Sequence, residues 1–278
     1  VPAILEAWFP GVEGGHAITD VLFGDVNPSA KLPVTFPHNV GQIPLYYAHR
    51  NTGRPPSEQE KYTSKYLDVP WTPLYAFGHG LSYTTFRYDA PVVSKKTLVP
   101  SALQQQVSVR VTNTGKRAGE EVVQLYVRDR IASRVRPVRE LKRFRKIALA
   151  AGQSLDVEFT LTRADLAFHG VDNRLAAEPG LFDLWIAPSA TTGEAVQFEL
   201  LARGQLLAVM LGLQAQDHRV SVLNLSRNFG KEIALTAGLD HARGAEAVVV
   251  IDADDGEAEQ GHCGRSLSVS CRWSQCPR

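Results

Sequence analysis

The run Val107-Ser108-Val109-Arg110-Val111-Thr112-Asn113-Thr114-Gly115 alternates apolar and polar residues as far as Val111 and then stops at a turn tripeptide. A period of two marks a strand that buries one face, and Asn-Thr-Gly supplies the residues that tolerate a tight reversal. The same rhythm returns at Val123, Leu125 and Val127, at Leu155, Val157, Phe159 and Leu161, and at Phe182, Leu184 and Ile186. Ala151-Gly152 and Glu178-Pro179-Gly180 punctuate these runs. Alternation in run after run predicts about seven antiparallel strands packed as a sandwich, with turns at sandwich-like intervals. We place this domain at residues 91–201. The basic stretch from Arg128 to Arg145 is interrupted by Asp129 and Glu140, and is read as a solvated strand edge that resists aggregation rather than a polyanion site.

Toward the N-terminus the texture changes. Residues 2–9 form an apolar run ending in Trp8-Phe9, followed by a glycine-rich turn and the helix-like stretch His16 to Gly24. Ile18, Val21 and Leu22 fall at i, i+3 and i+4, so one stripe of this helix is apolar, and Gly24 stands where a C-terminal cap is expected. Gly14-Gly15 at the helix start is read as a tight turn in preference to an anion site. The proline-bracketed segment Lys31 to Pro37 is expected to be an edge strand. A strand–helix–strand unit this small cannot close a sheet by itself, so its partners are expected before Val1. Residues 38–90, rich in Pro, Gly, Tyr and Asn, read as an ordered linker. Tyr46, Tyr47, Tyr62, Tyr66, Trp71 and Tyr75 could stack on sugar rings, but interdomain packing is the simpler role, and His79 between two glycines reads as a turn residue.

These residues carry a resemblance. Ala7-Trp8-Phe9-Pro10-Gly11-Val12-Glu13-Gly14-Gly15, Asp20 through Pro37, Gly41 through Tyr47, Asn51 through Pro55, Lys61 through Tyr66 and Leu74 through Phe86 resemble the end of the α/β sandwich domain and the following connector of family-three glycoside hydrolases, most closely periplasmic β-glucosidases. Val111 through Gly115, Val122 through Val127, Leu141 through Phe144 and Ala177 through Gly180 resemble that family's fibronectin-type-III-like domain. The resemblance implies a mainly β chain: an antiparallel fibronectin-type-III-like β-sandwich preceded by the end of an α/β sandwich domain at 1–37. It also implies a periplasmic or secreted setting, β-glucosides or oligosaccharides as partners through an upstream barrel, and no cofactor for hydrolysis.

Retaining glycoside hydrolysis needs a carboxylate nucleophile and a carboxylic acid about 5 Å apart. The family's nucleophilic Asp belongs to the barrel, and no motif here matches it or the acid/base, so no catalytic residue is assigned. Glu13, Asp20 and Asp25 lie in the best-matching block, where helix-end electrostatics and capping account for them. The expectation is a scaffold, inactive alone. A carbohydrate-binding or interdomain module is the alternative of a different class.

After Leu201 a second signature begins. Residues 203–213 are a helix candidate, 219–225 and 247–251 are strands, and a helix capped by Asn228 should join them. Such a unit is a partial βαβ, placed at 202–254, with the continuously apolar second strand suited to a parallel sheet. Ser226 through Lys231, Ala234 through Gly244 and Val250 through Asp254 resemble family-two glycosyltransferases of the polyprenyl-phosphate type. The resemblance implies that Asp252 and Asp254 hold Mg²⁺ or Mn²⁺ against a sugar nucleotide, hard oxygen donors suiting such ions. The family's Leu-Gln-Asp-Pro-Pro continuation is replaced by Asp255-Gly256-Glu257-Ala258-Glu259, and 255–278 is expected to be a disordered tail. A sugar-transferase fragment is therefore a third reading.

Composition excludes several classes. A formal net charge of +1 over 278 residues offers no footprint for nucleic acid. No run reaches the roughly 18 apolar residues of a membrane span, and no signal peptide is recognisable at the start. Cys263, Cys271 and Cys276 crowd into the tail, so no disulfide framework staples the earlier domains, and with His262 their irregular spacing does not suit zinc.

Overall fold

The computed structural model describes residues 3–99 and 104–202, isolated positions 212, 215 and 216, and the backbone of three short strands beyond them. Helix α1 spans Gly14–Phe23 and ends at Gly24, whose φ of 83° lets its amide bond back to the Val21 carbonyl. The expected cap residue thus takes the left-handed geometry that glycine adopts without penalty. The strands expected on either side of α1 do not form among the described residues. Among the described residues, 3–9 join no strand ladder, and the segment before Pro37 makes a single bridge, Phe36 to Tyr75. A strand needs a neighbour for its ladder, and Pro33 and Pro37 have no amide to give one.

The sandwich begins earlier than the alternation indicated. Strands β1 (Phe86–Tyr88) and β2 (Val92–Val93) pair with one edge of β4 (Gln104–Asn113). Strand β3 (Thr97–Leu98) crosses to the other sheet. The long strands β5 (Gly119–Asp129), β6 (Glu140–Leu149) and β7 (Ser154–Thr162) follow. Helix α2 (Arg163–Leu166) starts at a reciprocal capping box of Thr162 and Asp165. The hairpin β8 (Phe168–His169) with β9 (Leu175–Ala176) leads to β10 (Gly180–Ala187) and β11 (Val196–Leu200). One sheet is β1 and β2 on β4, with β7 on its other side; the second runs β3-β11-β10-β5-β6. Gln105, fully buried, holds the crossing from β2 to β3 by donating to the Lys95 carbonyl at 2.6 Å and accepting from Ser94 at 3.3 Å.

The expected inward sets close one core, Val107, Val109 and Val111; Val123, Leu125 and Val127; Val157, Phe159 and Leu161; Phe182, Leu184 and Ile186, except that Leu155, at the start of β7 where the strand leaves the core, is exposed. Phe182 stacks on Phe198 at 5.2 Å, joining β10 to β11. Burying each large aliphatic or aromatic side chain contributes about 2 kcal/mol, which sets this core as the main stabilising term. Basic β6 does lie at the sheet edge. A register shift opposite Leu125 and Tyr126 leaves Lys142 as the extra residue of a bulge, a device that bends an edge away from intermolecular pairing.

Farther on, β12 (Val220–Asn224) and β13 (Ala247–Ile251) both pair antiparallel with β14 (Leu267–Cys271). The two expected strands therefore run the same way but are not neighbours, and the tail taken as disordered supplies the strand between them. The helices expected at 203–213 and after Asn228 lie outside the described residues.

Candidate functional site

The chemistry-bearing side chains of the described region gather along β5, where residues 21–83 lie against it. Inward residues of this strand alternate as expected. Its outward residues Gln124 and Tyr126 are nevertheless buried as well, because the connector covers them. Gln124 donates to the Gly78 carbonyl at 3.2 Å and the Pro188 carbonyl at 2.6 Å, and accepts from the Tyr126 hydroxyl at 2.6 Å. Tyr47 stacks on Phe77 at 4.1 Å and meets Tyr126 edge-on at 6.2 Å, while its hydroxyl accepts from the Leu141 amide. Arg139 lies over Trp185 at 4.0 Å and faces Tyr126 at 5.7 Å. Burial lowers the Arg139 guanidinium to about 10, with the nearby Tyr126 opposing the shift. The Tyr126 hydroxyl is raised, by burial first.

At the other end of the strand Lys31 donates to Glu121 at 3.1 Å and to the Gly80 carbonyl at 3.0 Å, and the Tyr88 hydroxyl donates to the second Glu121 oxygen at 2.9 Å. The Lys31 and Glu121 side chains are 10% and 3% exposed, so this is an ion pair in a low-dielectric setting. Burial, then the Glu121 carboxylate, raises the Tyr88 phenol beyond the ordinary tyrosine range. Next to it Asn27 joins three segments: its amide donates to Ala118, and its oxygen accepts from the Ser82 hydroxyl and the Tyr83 amide. The Tyr83 hydroxyl donates to the Val21 carbonyl at 2.6 Å and so fixes the end of α1.

A row of rings runs from Trp8 to Phe36 (6.3 Å), Tyr75 (6.4 Å) and His79 (5.3 Å). His79 is a turn residue, as read, with its amide on the Ala76 carbonyl. Its imidazole is lowered by burial and then by Lys31, so it stays neutral near pH 7. Among the linker aromatics Tyr47 and Tyr75 pack, whereas Tyr46 and Tyr62 are exposed. Of the acidic trio, Glu13 occupies the cap position of α1 without a side-chain cap bond and pairs instead with His16 at 2.9 Å. Gly14 makes the expected turn, its amide on the Gly11 carbonyl. Among the described residues no group of His, Cys, Asp and Glu is placed to hold a metal, and Asp252 and Asp254 lie outside them.

The basic stretch is more engaged than a solvated edge requires. Arg130 meets Asp183, Arg136 meets Glu140 and lies over the Phe168 ring, Arg143 meets Asp165, and Lys146 meets Glu120. Asp129, half-buried at the end of β5, has no well-formed hydrogen bond to either carboxylate oxygen among the described residues, the Ile131 amide lying near but poorly aligned. Burial raises it to about 6, against the pull of the Ile131 amide and Arg136 and with help from Glu178 and Glu140. Its folded value thus exceeds the ordinary carboxylate value near 3.9, so stability falls as pH rises between about 4 and 6. Asp129→Asn is expected to raise stability by about 1 kcal/mol at pH 7.5, after discounting for solvent screening, and to give no gain near pH 4. Urea midpoints at the two pH values check this.

No sequence signal announced Lys31, Glu121 or Gln124, because their partners lie tens of residues away. The one trace is that the outward positions 122, 124 and 126 of β5 carry no charge, which is unusual for a face left in water.

Residues 1–83 match the glycosyl hydrolase family 3 C-terminal domain, residues 121–190 a fibronectin type III-like domain, and residues 204–260 glycosyl transferase family 2. The chain is 50% identical over 201 residues to a periplasmic beta-glucosidase from Salmonella typhimurium, covering 72% of this chain and 26% of the relative. It is 41% identical to a beta-xylosidase from Formosa agariphila over 68% of this chain and 25% of that one. The crystal structure of a beta-glucosidase from Listeria innocua in complex with glucose superimposes with a TM-score of 0.68 at 40% identity, over 71% of this chain and 28% of that one. The chain spans about a quarter of the length of the curated relatives it matches. No described helix is long and apolar enough to cross a membrane.

Proposed function

We propose that this chain, whose first two hundred residues carry the C-terminal region of a family-three glycoside hydrolase, serves as the supporting, non-catalytic part of a β-glucosidase-type enzyme acting in the periplasm or outside the cell. The observation that carries the reading is the Lys31–Glu121–Tyr88 bridge with the Gln124 contacts, which make the family-three connector and the sandwich one packed unit. Such a unit orients; it does not cleave. Cleavage requires a nucleophilic carboxylate and a proton-donating one about 5 Å apart. Glu121, Asp156, Asp165 and Asp183 here are each committed to a neighbouring cation. The substrate of the whole enzyme is a terminal β-linked glucosyl residue on this reading, with a β-xylosyl residue the alternative that the Formosa relative raises.

The test is a chromogenic aryl β-glucoside offered to the purified chain. Hydrolysis at the buffer rate is expected across pH 4–8. Saturable turnover that disappears when a single Asp or Glu within residues 3–202 is replaced by its amide would overturn the reading.

A further inference from the structure

We infer that the middle of the β5–β6 loop, residues 131–136, is a pH-sensitive latch that closes over the Asp129 carboxyl while it carries a proton and opens when it is ionised. The latch is independent of the function proposed above.

The loop is tied at both ends by backbone and stacking contacts, and is held differently in between. At its start the Arg130 amide donates to the Leu181 carbonyl at 3.1 Å, which prolongs the ladder between β5 and β10. At its end the Val138 amide donates to the His49 carbonyl at 2.9 Å, a bridge joins Arg50 to Pro137, and Arg139 lies over Trp185. In the middle, polar contacts hold the chain. Ser133 donates from its amide and its hydroxyl to the two Glu178 oxygens at 2.7 and 2.5 Å, and Arg134 donates to the Gly170 carbonyl at 2.7 Å. Arg136 donates to Glu140 at 2.7 Å and lies over the Phe168 ring at 4.5 Å. Ile131 and Val135 are 82% and 58% exposed, so neither anchors the segment by apolar burial. Polar contacts at a surface contribute little each, and a segment held by them opens without the core.

The closed latch encloses groups with unmet bonding capacity. Among the described residues neither Asp129 oxygen receives a well-formed hydrogen bond, and Arg136 Nε, also buried, has no partner. The groups that act on Asp129 come from each element packed there: the Ile131 amide and Arg136 from the latch, Glu140 from the start of β6, and Glu178 from the turn before β10. Lys142 and Arg130 are engaged with Glu140 and Asp183. Two further carboxylates thus share one guanidinium with Asp129, and Glu140 already holds it. A buried carboxylate without partners is costly, whereas its protonated form is much less so. Burial accordingly pushes the Asp129 carboxyl up to about 6. The closed value exceeds the open-chain value near 3.9, so closing takes up a proton: the stabilisation is complete below about pH 4, is lost as pH rises through about 6, and changes little above that. Opening lets water reach both oxygens.

The experiment compares exchange of the Ser133 amide by NMR in the full chain and in Asp129→Asn. The substitution is expected to slow this exchange about fivefold near pH 7.5 and by less than about twofold near pH 4. His49, Arg50 and His169 are common to both proteins, so their titration cancels in the ratio. Ser133 is also expected to exchange at least about tenfold faster than the most protected sandwich amides, the mark of a local opening. An equal ratio at the two pH values overturns the inference, as does exchange of Ser133 at the rate of whole-domain unfolding. Should the substituted chain fail to fold, the carboxyl carbon of Asp129 in the unsubstituted chain decides: titration near 6 with a parallel shift of the Ser133 amide sustains the latch, and titration near 3.9 overturns it.

Discussion

Lys31→Met is expected to lower the unfolding free energy by about 3–5 kcal/mol, the range for removing one partner of a buried ion pair. Methionine keeps the unbranched apolar stem of lysine and lacks only its terminal ammonium, so packing is largely preserved and the loss is electrostatic. It strands Glu121, whose side chain is 3% exposed, with the Tyr88 hydroxyl as its remaining side-chain donor. It also removes the donor to the Gly80 carbonyl. Because the bridge spans connector and sandwich, the damage is shared by both. Lys31→Met combined with Glu121→Gln should recover most of the loss, since a neutral amide can still accept from Tyr88 and no longer carries a buried charge. Denaturant midpoints of the four proteins in this cycle give the coupling, and an unchanged midpoint for the single variant would contradict the burial argued here.

Asn113→Ala should cost about 3 kcal/mol or more, from several buried groups left without partners. The Asn113 side chain is fully buried at the end of β4. Its oxygen accepts from the Thr84 hydroxyl at 2.6 Å and the Gly115 amide at 3.1 Å. Its amide donates to the carbonyls of Arg117 at 2.8 Å and Leu149 at 3.1 Å. One side chain therefore ties the connector, the β4–β5 turn and the end of β6. Asn113→Asp separates the halves of the network: both acceptor contacts persist and both donor contacts are lost, while an added charge is buried. It should be at least as harmful as alanine in thermal melts near neutral pH.

The sandwich was legible because its core strands obey a local rule. Val107 to Val111 and Phe182 to Ile186 announce their inward face within five residues, and the turn residues Asn113-Thr114-Gly115 mark where the first run ends and Glu178-Pro179-Gly180 where the second begins. Gly24 was legible for the same reason, a cap being a property of adjacent residues. The contact surface was not. Gln124 and Tyr126 sit at positions that the alternation assigns to solvent, and what covers them comes from Tyr47 and Phe77, far off in sequence. The strands expected around α1 failed differently, since a strand is defined by neighbours that no local pattern supplies. In the last segment both strand positions were legible, but the sheet that they join is arranged around Leu267–Cys271, a stretch with no usable period in the surrounding sequence.

The double coverage of β5 bears on how such proteins are reshuffled over evolutionary time. A recombination breakpoint placed at the first sandwich strand would hand its recipient a sheet with a bare glutamine and tyrosine where the donor had a lining, and an unmatched glutamate beside them. Gene joins that survive should instead cut ahead of Asn27 or beyond Leu201, so that the connector travels with its sheet as one heritable cassette.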